Sequence, residues 1–455
     1  MNKKTIGNEP IYDARTLGAP RMLVLGFQHM FAMFGATVLV PTLTGLSVSV
    51  TLLFAGLGTL LFHLLAKGKV PAFLGSSFAF LGGYSAIAPM LENPDMPGVF
   101  NIPNTEMLPY ACFGVACAGL VYLVLSLLFK VFGVRKVMRF FPPIVTGPII
   151  IAIGLSLSSS AVNNCEASWP VALVAILVVI VCNIWGKGMI KIIPILLGVI
   201  ASYIVGAVSG QVDFTAVKEA AWIGLPVVWS ETVFGLFGSG NVDTAMLGTA
   251  AVTIIPIALA TMVEHIGDMC AISSTCERNY IQDPGLHRTL LGDGLATTLA
   301  ALFGAPANTT YGENTGVLAL SKVYDPRVIR IAAVLAIIFS FCPKFAEIVH
   351  AMPTATIGGV SLVLYGMISA VGVRNVVENK VDFTKSRNVI IAALILVLAI
   401  GITYSGVGGV MIGQVKFSGL ATAAIVGIVL NAILPGKDYE FGADIQGDTS
   451  VNFKV

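Results

Sequence analysis

Charge is what this sequence has least of. Of its 455 residues, 11% are Asp, Glu, Lys or Arg, against 56% hydrophobic, and the mean hydropathy is +0.89. A soluble globular chain carries about 25% charged residues, so the composition excludes a soluble domain and reads as an integral membrane protein. The formal net charge of +2 says little, because distribution matters more than sum here; no nucleic-acid partner is expected. Metal and disulfide patterns are missing too. The seven cysteines, Cys112, Cys117, Cys165, Cys182, Cys270, Cys276 and Cys342, contain no CxxC pair, and the five histidines contain no HExxH. A disulfide framework, a zinc site and a membrane zinc protease therefore gain no support, and no cofactor is expected. The first 20 residues lack a signal-peptide apolar core and a small-residue cleavage site, so the first apolar run is expected to be a retained helix.

Apolar runs of about 20 residues, some of them broken, fill the rest. They fall near 22–41, 48–66, 71–91, 107–129, 141–159, 169–185, 190–209, 243–274, 288–304, 306–321, 327–343, 353–371, 387–405 and 415–434. Fourteen spans put both termini on one side. With that assignment, all but three of the 26 basic residues lie on the terminal side; the three are Lys218, Lys344 and Lys416. The positive-inside rule then expects both termini in the cytoplasm. The long segment from Gln211 to Asn241 divides the runs into two sevens, and an odd number inverts the second half relative to the first. Echoes fall at matching places. The third run opens Pro71-Ala-Phe-Leu-Gly-Ser-Ser-Phe78 and the tenth Pro306-Ala-Asn-Thr-Thr-Tyr-Gly-Glu313. Pro142 and Gly147 in the fifth run match Pro353 and Gly358 in the twelfth. This is the signature of an inverted-repeat transporter with broken helices at its binding site.

The stretch Ala305–Lys322 is the most unusual part of the chain. It sits between apolar runs, yet opens with Pro306, contains Gly312 and Gly316, and carries Glu313. Broken backbone and a charge at membrane depth survive only where they line a protein-bounded cavity. Two further acids lie inside an apolar run, Glu264 and Asp268 in Thr261-Met-Val-Glu-His-Ile-Gly-Asp268, one helical turn apart on one face. Either these acids form a site that binds N–H donors and carries a proton, or they are structural carboxylates paired with His29, His265 or backbone. Asp293, within Gly292-Asp-Gly294, is expected to serve packing or capping. The segments around Gly75-Ser-Ser-Phe78 and Tyr311-Gly-Glu313 suit short extended backbone better than helix. Meeting at mid-membrane, they would present N–H groups beside half-helix N-termini. Carboxylates accept hydrogen bonds and N–H groups donate them, so a flat ring with alternating N–H and C=O, a pyrimidine or purine edge, satisfies both. Phe78, Tyr311 and Tyr365 either cover that ring or pack in the core. Gln28 and His29 in the first run, and His265, are expected to support the site by hydrogen bonding; His63 is expected to pack.

The sequence closely resembles the uracil-carrying members of the nucleobase–ascorbate transporter family (nucleobase:cation symporter-2). The resemblance rests on Gln28 through Pro41, Leu74-Gly-Ser-Ser-Phe-Ala-Phe80, Glu264-His-Ile-Gly267, Asp283-Pro-Gly-Leu-His-Arg288, Asn308-Thr-Thr-Tyr-Gly-Glu-Asn314 and Gly359-Val-Ser-Leu-Val-Leu-Tyr-Gly366, from the first span to the twelfth. It implies an all-α membrane protein of fourteen spans in two inverted seven-span repeats, with short antiparallel strands in spans 3 and 10. It implies a core domain from residues 1–140 and 243–350 (spans 1–4 and 8–11). The gate domain would come from residues 141–242 and 351–455 (spans 5–7 and 12–14). It further implies uracil:proton symport by alternating access across a bacterial inner membrane, and a homodimer.

By the same resemblance, Glu264 and Glu313 would hydrogen-bond the N–H and imide edge of uracil. The backbone N–H groups of Phe78 and Gly312 would meet its carbonyls, and Ala36, Tyr311 and Tyr365 would line the pocket. Glu264 is the expected proton carrier, with Asp268 its modulator and also a candidate substrate contact; Gln28, His29, His265 and Asn314 would support. The family signature E-N-x-G-x-x-x-x-T-[R/K/G] falls on Glu313 through Lys322, with Ser321 in place of threonine. Purine-type members carry Gln where Glu313 stands, so a xanthine or purine permease is the second expectation, ahead of a membrane-embedded enzyme. One departure stands out: a bacterial uracil-carrying member has histidine where this chain has Asp268.

Overall fold

A computed structural model describes residues 6–437, apart from residues 93, 95–99, 134–135, 138, 140–141, 239, 241, 408 and 413–414. It is mostly helical. The long elements are α1 (Ala19–Thr44), α2 (Val48–Leu65), α3 (Leu81–Ile87), α4 (Leu108–Phe132), α5 (Pro143–Glu166), α6 (Trp169–Ile184), α7 (Pro194–Val208), α8 (Thr244–Ile254), α9 (Ile257–Thr275), α10 (Leu286–Leu302), α11 (Gly312–Ser321), α12 (Pro326–Ser340), α13 (Pro343–His350), α14 (Thr354–Glu378), α15 (Ser386–Tyr404) and α16 (Gly419–Ile433). Strands β1 (Leu74–Ser76), β2 (Leu91–Glu92), β3 (Phe100–Ile102), β4 (Asn308–Thr310), β5 (Val410–Ile412) and β6 (Val415–Phe417) form three two-stranded ribbons.

Among the described residues, seven helices are long and apolar enough to cross a membrane, α8 and α9 counting as one. α12 and α13 together make a pair bent by 87° that passes the same test, and four shorter apolar helices complete the set. Proline sets several of the breaks. Pro256 stands between α8 and α9, and Pro343 opens α13; proline has no N–H to give the preceding turn.

The helices pack in a pattern that recurs along the chain. α2 lies along α12, and α4 along α10; α1 packs on α12, and α8 on α4. The most extensive pairing is α5 with α14; α6 pairs with α7 and α15 with α16, while α6 touches α14 and α5 touches α15. Lipid offers no hydrophobic force between helices, so close approach through small residues must hold them. At the α4–α10 crossing a Cβ on Gly119 would stand 2.9 Å from the carbonyl of Gly294, and a Cβ on Gly294 equally 2.9 Å from the carbonyl of Gly119.

The ribbon β1–β4 joins residues more than 200 positions apart. It is antiparallel, with Leu74 opposite Thr310, Gly75 opposite Thr309 and Ser76 opposite Asn308. Tyr311 N donates to the Phe73 carbonyl (3.0 Å) and Ser77 N to the Ala307 carbonyl (2.8 Å), extending the ladder at both ends. Two strands this short leave outer backbone groups in need of partners. Thr59 of α2 meets Leu74, accepting from its N–H at 2.9 Å, and Thr297 of α10 donates to the Asn308 carbonyl at 2.9 Å. Asn308 Nδ2 also donates to the Phe54 carbonyl at 3.1 Å.

Gly75 is required by close approach. A Cβ there would meet the Tyr311 ring at 2.5 Å and Thr37 Oγ1 at 2.7 Å. The extended backbone begins earlier than the sequence suggests: β4 ends at Thr310, so Gly312 and Glu313 open α11, and Phe78 starts a 3-10 turn (Phe78–Phe80) that runs into α3. Both changes have one cause. After three ladder pairs each chain turns into helix, and the residues following the strands become helix N-termini.

Candidate functional site

Glu264 and Asp268 project from α9, whose first residues follow the Pro256 break. Glu313 sits in the first turn of α11, just beyond Tyr311, whose side chain does not cap that turn. Free N–H groups at a helix N-terminus carry partial positive charge and stabilise a nearby carboxylate. The turn at Phe78–Phe80 packs against α9. The ribbon therefore brings two helix starts to the acid-bearing face of α9, one from each half of the chain. Glu264, Asp268 and Glu313 lie within electrostatic reach of one another.

That face is open. Glu264, Asp268, Glu313 and Phe78 are half-buried and Gly267, Gly312 and Gly316 are exposed. A Cβ on any of these three glycines would meet nothing within 4 Å. Two helix starts, three half-buried acids and one aromatic ring thus border open space at these glycines.

The surrounding side chains are held by buried hydrogen bonds. Thr310 Oγ1 of β4 donates to Asp268 Oδ2 at 2.7 Å. Asp268 is therefore tied to the ribbon, and its bond to Thr310 anchors α9 against β4. Asn314 Nδ2 donates to the His29 carbonyl at 3.0 Å and lies 3.2 Å from His29 Nδ1, linking α1 to the residue after Glu313. Gln28 is half-buried beside His29. Tyr311 is buried, and its hydroxyl donates to the Ser76 carbonyl at 2.8 Å. Thr37 Oγ1 in turn donates to that hydroxyl at 3.3 Å. The ring lies across β1 against Gly75, so Tyr311 braces the ribbon with a hydroxyl already committed to protein partners. Ala36 is buried on α1, next to Thr37, whose carbonyl accepts from Ser76 Oγ at 2.8 Å. Tyr365 is buried on α14, the helix that pairs with α5.

Asp293 sits mid-helix in α10, with Asp293 Oδ2 3.0 Å from His265 Nδ1 and both side chains fully buried. They stand at ion-pairing distance, though off the line of a well-formed hydrogen bond. Sequence reading gave Asp293 a packing or capping role and left His265 near Glu264. The fold instead turns His265 away, towards α10. His63 packs as expected, against the Ala72 carbonyl at 2.8 Å. No cluster of three or more metal-ligating side chains occurs among the described residues.

The sequence matches the profile of Xan_ur_permease, a permease family, over residues 20–408. It is 40% identical over 449 residues to the uracil permease of Bacillus caldolyticus, covering 96% of each chain. It is 36% identical over 422 residues to the uracil permease of Escherichia coli (strain K12), covering 90% of each. The chain belongs to this permease family. Such relatives are membrane transporters and not enzymes. Among solved structures, the permease is similar to the transmembrane domain of the cyanobacterial bicarbonate transporter BicA, with a TM-score of 0.54 and 15% identity over 93% of this chain and 99% of that one. It is also similar to the murine anion transporter Slc26a9 in its inward-facing state, with a TM-score of 0.63 and 11% identity over 95% of this chain and 73% of that one. At these identities the likeness concerns the fold alone: a permease built on a transporter architecture that also serves inorganic anions.

Proposed function

We propose that this permease imports uracil together with a proton across the cytoplasmic membrane by alternating access. The observation that carries the reading is the meeting of Glu264, Glu313 and two helix N-termini around the β1–β4 ribbon, on an open face. A uracil edge offers N–H groups to carboxylates and C=O groups to backbone N–H. Glu264 and Glu313 accept from the ring, and the N–H groups of Phe78 and Gly312 donate to it. Phe78 flanks the ring. The names of the relatives support uracil as the base, and Glu at position 313 favours it over xanthine or another purine.

Glu264 is the proton carrier in this reading. A carboxylate at membrane depth is costly, and protonation removes that charge before the loaded site crosses. Asp268, one turn on and bonded to Thr310, modulates the protonation of Glu264.

Fourteen spans in two inverted repeats underlie the movement. The recurring packings support this: α2 with α12 answers α4 with α10, and α6 with α7 answers α15 with α16. Residues 1–140 and 243–350 form the moving core, and residues 141–242 and 351–455 the gate. The gate helices of two copies form a homodimer, both termini face the cytoplasm, and the membrane is the inner membrane of a bacterium. Uptake of labelled uracil by cells expressing the wild type and Glu264→Gln tests the reading. Accumulation by the wild type and its loss in the variant are expected; equal accumulation by both removes Glu264 from coupling. Competition by unlabelled uracil, xanthine and hypoxanthine identifies the base.

A further inference from the structure

Residues 6–17 precede the first long helix and take no part in the site, yet they are bound more closely than a chain end requires. Gly7 N donates to the Ser321 carbonyl (2.9 Å) and Ile11 N to the Lys322 carbonyl (2.8 Å). These carbonyls end α11, where a helix leaves its last acceptors unpaired; the N-terminal segment supplies the missing donors. Lys322 holds a left-handed backbone, with φ of 53°, which few residues with a side chain adopt. Tyr324 N returns a bond to the Ile11 carbonyl at 2.8 Å, making a parallel bridge between Ile11 and Val323. Ala14 N donates to Asp325 Oδ2 at 2.8 Å, and Asp325 also caps α12. Arg327 Nη1 reaches Asp13 Oδ1 at 2.9 Å. Beneath these bonds Ile11, Ala14, Leu17, Leu25, Val323 and Val328 form a separate apolar cluster.

The segment also reaches α9. Tyr12 Oη donates to the carbonyl of Cys276, the C-cap of that helix, at 3.0 Å. The Arg278 guanidinium lies 4.0 Å from the centre of the Tyr12 ring, whose other neighbour is Tyr324 at 5.6 Å. One stretch of chain thus binds the ends of α9 and α11, the helices that carry Glu264 and Glu313. Glu264 lies about 18 Å along α9 from Cys276, and Glu313 about 14 Å along α11 from Lys322, both at helical rise.

We infer that residues 7–17 form a clasp that fixes the spacing of Glu264 and Glu313, with Tyr12 as its positioning residue. This rests on the reading of those acids as the substrate site. Tyr12 touches no substrate; it acts by holding α9 to α11, and a shift of about 1 Å at a site is enough to weaken a complementary grip. In proteoliposomes, Tyr12→Ala is expected to raise the KM for uracil about fivefold or more while Vmax stays within about twofold, as loss of binding geometry without loss of turnover requires. Tyr12→Phe, which removes only the bond to Cys276, is expected to raise KM by less, and it decides the matter if Tyr12→Ala fails to reconstitute. An unchanged KM overturns the inference. Amide exchange reads the clasp without transport. Tyr12→Ala should speed exchange around residues 261–268 and 312–314; faster exchange confined to residues 6–17 would leave the clasp without influence on the site. If the wild type carries no uracil, the transport reading fails and the exchange result alone decides the clasp.

Discussion

At the scale of single residues, the proposed reading divides the work between the two glutamates. Glu264, on a helix beside Asp268, would bear the proton, and Glu313, at a helix start, would read the ring. Glu313→Gln keeps an acceptor but removes the charge from its hydrogen bonds, and such bonds are worth about 1.5–3 kcal/mol. Uracil affinity measured by calorimetry on purified protein should then fall about 5- to 15-fold for each bond weakened, the difference between a charged and a neutral acceptor. Asp268 separates two roles cleanly. An amide oxygen can still accept from Thr310, so Asp268→Asn should keep the KM for uracil within about threefold while moving the pH at which uptake is half-maximal. Asp268→Ala loses the bond to Thr310 and should raise KM as well. Equal pH profiles for wild type and Asp268→Asn would deny Asp268 any part in coupling. Sequence alone identified these acids, because charge inside apolar runs is conspicuous. It did not reveal the partner of Asp268, since Thr310 lies 42 positions away and only the ribbon brings it near. The pairing of His265 with Asp293 was hidden for the same reason: a helix can turn a histidine to either side, and packing on α10 decides which.

At the scale of elements, the β1–β4 ribbon is the piece on which the site depends. Gly75→Ala would press a methyl against the Tyr311 ring and Thr37. Overpacking of this kind costs about 1–3 kcal/mol, so a lower thermal midpoint and weaker uracil binding are expected together. A variant as stable as the wild type would mean that Tyr311 moves freely, contrary to its buried hydrogen bonds. The clasp gives a pH-dependent prediction. Hydrogen bonding from the Arg15 side chain, with further help from Arg327, holds the Asp13 carboxyl well below the usual carboxylate range. A lowered folded-state value contributes stability above the unfolded value, about 3.9, and loses it as pH falls towards the folded one. The melting difference between wild type and Asp13→Asn should therefore be present at neutral pH and narrow as pH drops below about 4. Proline and glycine made the broken spans legible in the sequence, though β4 and α11 divide three residues from the expected place, because the ladder ends at Thr310. The clasp left no such mark. Residues 6–17 have neither an apolar period nor a motif, and their partners lie about 300 positions away.

At the scale of the whole molecule, the chain is a permease whose two strand-paired helix starts come from opposite halves of the sequence and meet at an acid-bearing helix. The long apolar helices and the paucity of charge were plain from composition, and the family followed from short motifs spread from Gln28 to Gly366. The mutual packing of α2 with α12 and α4 with α10 was not, because apolar faces alone do not name their partners. In the proposed mechanism, movement of a core past a gate would convert this arrangement into transport, and the ion that drives it is what most needs measurement. Purified permease in proteoliposomes should accumulate labelled uracil when the outside is made acid, with sodium equal on both sides. Dissipating the pH gradient should abolish the accumulation, and a sodium gradient alone should produce none. Accumulation driven by sodium, or simple equilibration of uracil under either gradient, would contradict proton-coupled import.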